Sequence, residues 1–113
     1  MRFSESLKKN SDFKTVYREG KSCADRLLVM YVRKNGSDRN RFGISVSKKV
    51  GNSVVRHHIT RLLRESYRLH EEMFHSGWDI AVIARSGAKD AGYREIEKAL
   101  LHLGNLQGII RQE

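Results

Sequence analysis

Between Arg41 and Arg68 the hydrophobic period of the chain changes from two to nearly four. Over Phe42–Ser47, Ile44 and Val46 fall on one side, while Gly43, Ser45 and Ser47 leave the other small and polar, as in a strand. After a Gly-containing turn, Val55, Ile59, Leu62, Leu63, Ser66, Leu69 and Met73 gather on one side of a helix at about 100° per residue. His57, Arg61, Arg64 and Arg68, spaced by four, three and four residues, fall on the opposite side. The stretch predicts a strand, a tight turn and one long helix with an apolar back and a basic front.

The same reading extends outward. Ser11-Asp12 followed by Phe13, Val16, Tyr17 and Gly20 predicts a two-turn helix, capped by Ser11 or Asn10 and closed by Gly20 in the left-handed C′ position. Phe13 and Tyr17 share a face, one turn apart, and such a pair most often belongs to a core. Leu27–Val32 is apolar on both alternations, which predicts a central strand covered on both sides. Lys34–Asp38 has turn composition, and Lys21–Ala24 is a candidate edge strand. A face of Gly43 and Ser45 beside Tyr31 predicts a shallow groove. Trp78–Arg85 reads as a further strand, and Tyr93–Leu103 as a last helix with Ile96, Ala99, Leu100 and Leu103 inward. Both kinds of element are needed to close one core, so the expected class is a compact α+β sandwich forming one domain over 1–113.

Charge sharpens this picture. The net charge is +9, and it is uneven: residues 1–68 carry +11 and residues 69–113 carry −2. Between Lys48 and Arg68 only Glu65 opposes Lys48, Lys49, Arg56, Arg61, Arg64 and Arg68. A surface helix can carry solvated arginines paired one turn apart. So dense a set of like charges repels itself and is better explained by a polyanionic partner, nucleic acid first. An anionic membrane fits less well, because the apolar face of the helix is required for the core. No stretch approaches the ~20 apolar residues of a membrane-spanning helix. The N-terminal MRFSESLKKN lacks an apolar signal-peptide core, and Cys23 is the only cysteine, which points to a reducing cytoplasm.

Several chemistries fail on spacing. Gly20-Lys21-Ser22 imitates the end of a phosphate-binding P-loop, but the glycine required five residues earlier is Thr15. The five histidines and one cysteine show no zinc spacing, and adjacent His57 and His58 point about 100° apart on a helix. Acidic residues are scattered, and no nucleophile–base pair can be assembled. No catalytic residue, protein metal ligand or small-molecule site is expected on this polypeptide.

Gly43-Ile44-Ser45-Val46-Ser47-Lys48-Lys49-Val50-Gly51-Asn52-Ser53-Val54-Val55-Arg56, followed by Arg61-Leu62-Leu63-Arg64-Glu65, resembles the signature of the bacterial ribonuclease P protein component. The similarity reaches Asp12-Phe13, Tyr17, Glu19-Gly20-Lys21 and Tyr31, and then the Asp79–Arg85 strand and final helix. The resemblance implies an αβββαβα order with a left-handed βαβ crossover around the long helix. It implies an RNA subunit that, with Mg²⁺, removes the 5′ leader of precursor tRNA, and a protein that binds this RNA and holds the leader. By position, Lys48, Lys49, Arg56, His57, His58, Arg61, Arg64 and Arg68 would contact the ribonuclease P RNA. Phe13, Tyr17 and Tyr31 would line the leader cleft, so Phe13 and Tyr17 are as easily groove wall as core. This chain departs from the family pattern after Arg56: His57-His58 stand where Asn-Arg is usual, and Thr60 where Lys is usual. Fixed positive charge is thereby lost from the most diagnostic segment. The alternative function class is a structural RNA binder of the ribosome-associated kind, which would share the basic helix but make no demand on the aromatic groove.

Overall fold

Trp78–Ala84 lies in the middle of a five-stranded sheet because neither of its faces tolerates water: Ile80 and Val82 on one side and Ala81 on the other are fully buried. In the computed structural model, which describes residues 1–112, the strands are β1 (Ser4–Ser6), β2 (Lys21–Ala24), β3 (Leu28–Lys34), β4 (Asn40–Ser45) and β5 (Trp78–Ala84). The α-helices are α1 (Asn10–Glu19), α2 (Ser53–His70) and α3 (Tyr93–Leu106). Strand order is β1-β4-β5-β3-β2. β4 and β5 run parallel, with Phe42 opposite Ile80, and α2 makes the crossover between them. β3 closes on β5 antiparallel, with Tyr31 opposite Ala81. The predicted α+β sandwich is therefore present.

The two sheet faces are covered unequally. On one, Leu28, Met30, Val32, Phe42, Ile80 and Val82 meet Ile59, Leu63 and Tyr67 of α2 and Ile96, Leu100 and Leu103 of α3. On the other, α1 alone sets Val16 against Ala81 and Leu7, with Phe13, Tyr17 and Tyr31 half-buried around them. The alternation along β4 explains the difference: Phe42 feeds the large core, whereas Gly43 and Ser45 offer α1 too little bulk to fill the second layer.

Several boundaries differ from the sequence expectation. α1 begins at Asn10 with Lys9 at the cap position and no side-chain cap. Gly20 is not left-handed, since its φ is −84°. A Cβ there would lie 2.5 Å from the Val16 carbonyl oxygen and 2.8 Å from that of Val32, so glycine is required by close approach of backbone. β4 starts at Asn40 and ends at Ser45, leaving Val46 and Ser47 in the approach to α2. β1 is an addition: Ser4–Ser6 pairs parallel with β4, and the Ser4 hydroxyl lies 2.7 Å from that of Tyr67. Tyr67 is wholly buried and stacks on Phe42 with ring centroids 4.0 Å apart, whereas Leu69 and Met73, expected inward, are exposed.

Beneath α1 the sheet carries one buried carboxylate, Asp79. Arg41 grips it with two donors, Nε to Oδ1 at 2.8 Å and Nη2 to Oδ2 at 2.6 Å, and the Asn35 amide donates a third bond at 3.0 Å. Arg41 also reaches Asp12 on α1 at 3.2 Å, and Arg33 bridges Asp79 at 3.8 Å and Glu19 at 3.2 Å. Burial pushes the Asp79 carboxyl up, but the Arg41 and Asn35 bonds outweigh it and hold the group below its ordinary range. A depressed carboxyl contributes stability above its unfolded value of about 3.9 and loses it as pH falls through the folded value. Arg41→Ala should cost about 3 kcal/mol at pH 7, because it strands a buried charge. It should also flatten the loss of stability below about pH 4, since Asp79 then lacks the partner that depresses it. Urea midpoints at pH 7, 4 and 3 measure both effects.

Candidate nucleic-acid interface

α2 is started firmly. The Asn52 side-chain oxygen accepts the Val55 N–H at 3.0 Å, so the first turn is capped. Lys48 and Lys49 project from the turn just before it, with Val50 buried as the anchor. His57, His58, Arg61, Arg64 and Arg68 are all exposed along the outward side. Arg56 is different: it is half-buried, and its Nε is shielded from solvent without a hydrogen-bond partner. Arg68 is paired with Glu65 one turn away, with Nε donating at 3.1 Å. The Thr60 hydroxyl donates to the Arg56 carbonyl at 2.9 Å and is spent within the helix. Among the described residues, Lys48, Lys49, Arg61 and Arg64 make no ion pair, so these four are the fixed charges an outside anion meets first.

The second surface is a cavity of about 430 Å³ between α1 and β4, lined by Phe13, Tyr17, Ile44 and Ser45 with Lys8 and Lys14 among its flanking groups. Phe13 and Tyr17 stand 6.0 Å apart between ring centroids, and Tyr17 meets Tyr31 edge to face at 5.0 Å. The three aromatics named from sequence are thus brought together. Gly43 makes room for them, since a Cβ there would sit 2.5 Å from the end of the Phe13 ring. Burial raises the Tyr17 phenol above its usual range, against a contact with Ser45 that lowers it. Lys8 and Lys14 were missed in the sequence. Lys14, set between two aromatics on a short amphipathic helix, was the available signal.

Aromatic faces beside lysines suit a flexible single strand, because stacking accepts any base and cations follow the backbone. A cationic helix of fixed length suits a structured, phosphate-rich partner. The fold and these two surfaces define a small basic α+β protein built to meet polyanions. The family model described as Ribonuclease P matches residues 1–106. The chain is 59% identical over 107 residues to the ribonuclease P protein component of Lachnoclostridium phytofermentans, covering 95% of this chain and 92% of that relative. It is 52% identical over 103 residues to that of Alkaliphilus metalliredigens, covering 91% and 93%. Its fold superposes on the RNase P protein of Staphylococcus aureus with TM-score 0.88 at 39% identity, covering 96% and 99% of the two chains. For the RNase P protein of Thermotoga maritima the TM-score is 0.82 at 32% identity, covering 89% and 96%. The chain belongs to the ribonuclease P protein component family. Membership makes it a subunit of a ribonucleoprotein that acts in tRNA processing, and it favours that function over a ribosome-associated one.

Arg61 and Arg64 lie outside the core, so replacing either by alanine should leave the unfolding midpoint nearly unchanged. Each variant should weaken binding to ribonuclease P RNA and reduce the slope of log affinity against log salt by about one charge. Titrations at several salt concentrations read the slope directly.

Proposed function

We propose that this chain docks on the ribonuclease P RNA through the outward side of α2 and holds the 5′ leader of precursor tRNA in the α1–β4 groove, while the RNA subunit performs the cleavage. The observation that carries this reading is the separation of the two surfaces. The basic side of α2 faces away from the sheet, and the aromatic groove lies under α1 on the opposite sheet face. One chain can therefore engage a structured RNA and a single strand at once. The RNA contact would be carried by Lys48, Lys49, His57, His58, Arg61 and Arg64. Arg56, half-buried, and Arg68, paired with Glu65, would contribute less than their charge suggests.

The chemistry assigned to the RNA subunit includes its Mg²⁺. The donors of this chain do not fit that ion: among the described residues no three His, Cys, Asp or Glu side chains converge. The most buried carboxylate, Asp79, is already committed to Arg41 and Asn35. The work left to the protein is binding, orientation and charge neutralisation. No described helix is long and apolar enough to cross a membrane.

Leader capture predicts selective loss. Tyr31→Ala should weaken holoenzyme binding of leader-bearing precursor by about 1–3 kcal/mol and leave mature tRNA binding unchanged. Equal losses for both ligands would mean damage to the fold.

His57 and His58 supply no fixed positive charge on the exposed side of α2. His57→Arg/His58→Arg should bind the RNA subunit more tightly, because arginine is always charged and can grip a phosphate with two donors. Unchanged affinity at one ionic strength would assign both histidines a role away from phosphate.

A further inference from the structure

On the flank of α2 that faces the start of α3 there is an open cleft of about 480 Å³, lined by His58, Arg61, Leu62, Arg64, Glu65 and Tyr93. It is separate from the leader groove, and its make-up differs from that of a solvated helix edge. Arg61 and Arg64 make no ion pair among the described residues. The one carboxylate, Glu65, is held by Arg68, and that pairing keeps it charged but partly neutralised. Tyr93, from the first turn of α3, is half-buried in this lining. Its hydroxyl is the buried end, shielded from water beside Glu97 and Ser66 without a well-aligned bond. Tyr93 keeps part of its surface open and lines the cleft together with Leu62, with the hydroxyl turned away from water. Glu97 is in turn fixed by His70 of α2 at 2.9 Å, which holds the two helices together behind the ring.

We infer that this cleft is a nucleotide-binding site for an unpaired residue of the ribonuclease P RNA, with Tyr93 and Leu62 receiving the base and Arg61 and Arg64 receiving its flanking phosphates. Sequence-local RNA recognition uses unstacked bases laid on aromatic faces beside cations, and this cleft offers both within one cavity. The inference rests on the reading that α2 faces the RNA subunit, and it deepens that reading. It turns a purely electrostatic contact into one that selects a bulged or looped nucleotide over continuous duplex.

The two contributions separate by salt. Tyr93→Leu keeps apolar bulk but removes the π-face. It should weaken binding to the RNA subunit about ten-fold at every salt concentration, leaving the salt slope unchanged. Tyr93→Phe keeps the face and should bind within about two-fold of the native chain. Should Tyr93→Leu bind as the native chain does, or Tyr93→Phe lose as much as Tyr93→Leu, the nucleotide site is excluded. If only Arg61→Ala and Arg64→Ala fail to weaken binding, the underlying reading of α2 is what fails. A measurement on the unaltered protein stands beside the variants: ultraviolet cross-linking of the native complex should place an RNA adduct on the peptide containing Tyr93. Adducts confined to other peptides would overturn the inference even if Tyr93→Leu were to unfold.

Discussion

The grip of Arg41 on Asp79 is the contact that joins β4 to β5 at the sheet's centre and on which the placement of α1 and its groove depends. A carboxylate with no exposed surface is intolerable in a sheet unless its charge and lone pairs are met, and here Arg41, Asn35 and Arg33 meet them. The guanidiniums do not stop at the sheet. Through Asp12 and Glu19 they reach both ends of α1, so the short helix is tethered by charge where it has only Val16 to bury deeply. A ten-residue helix has little stability of its own, and it needs such anchoring. The same tether fixes the width of the aromatic groove, because Phe13 and Tyr17 ride on α1 and the opposite wall is β4. An interaction of local stability therefore doubles as a positioning device.

The two surfaces use different physics for different demands. A leader of arbitrary sequence is best met by aromatic faces, which do not discriminate strongly among bases, with lysines to follow its phosphates. A structured RNA of fixed shape is better met by charges at helical spacing on a rigid rod. α2 is made rigid by burial of Ile59, Leu63 and Tyr67 and by the His70–Glu97 contact to α3. The large core thus supports the basic helix α2, while the small core under α1 is left loosely filled by Gly43 and Ser45 so that a groove remains.

Much of this was legible in the sequence, because the signals were local. The apolar runs of β3 and β5, the helical period of α2 and α3 and the charge imbalance each need only a short window. What was not legible depended on distant partners. Tyr67 and Leu69 lie nearly symmetrically, about 80° either side of Ile59, so periodicity alone could not say which turned inward. Phe42 and Ser4, far away in sequence, decide it by offering Tyr67 a stacking face and a hydroxyl partner. β1 is too short to have a pattern and exists only because β4 presents an edge. Gly20 does end α1, as its position suggests, but what requires glycine there is the approach of the Val16 and Val32 carbonyls and not a left-handed φ. At the interface, residue identity gave Arg56 and Arg68 the same weight as Arg61, and only the structure distinguishes a shielded or paired guanidinium from an open one.

The division of labour between groove and helix is the central claim, and one photocross-linking measurement addresses it directly. Precursor tRNA carrying 4-thiouridine in its leader is bound to the reconstituted holoenzyme, irradiated, and the adducted peptides are identified. The account predicts adducts on α1 around Phe13 and Tyr17 or on β3 at Tyr31, lost when an unlabelled precursor competes but retained against mature tRNA. Leader adducts on α2 at Arg61 or Arg64, with none on α1 or β3, would contradict it.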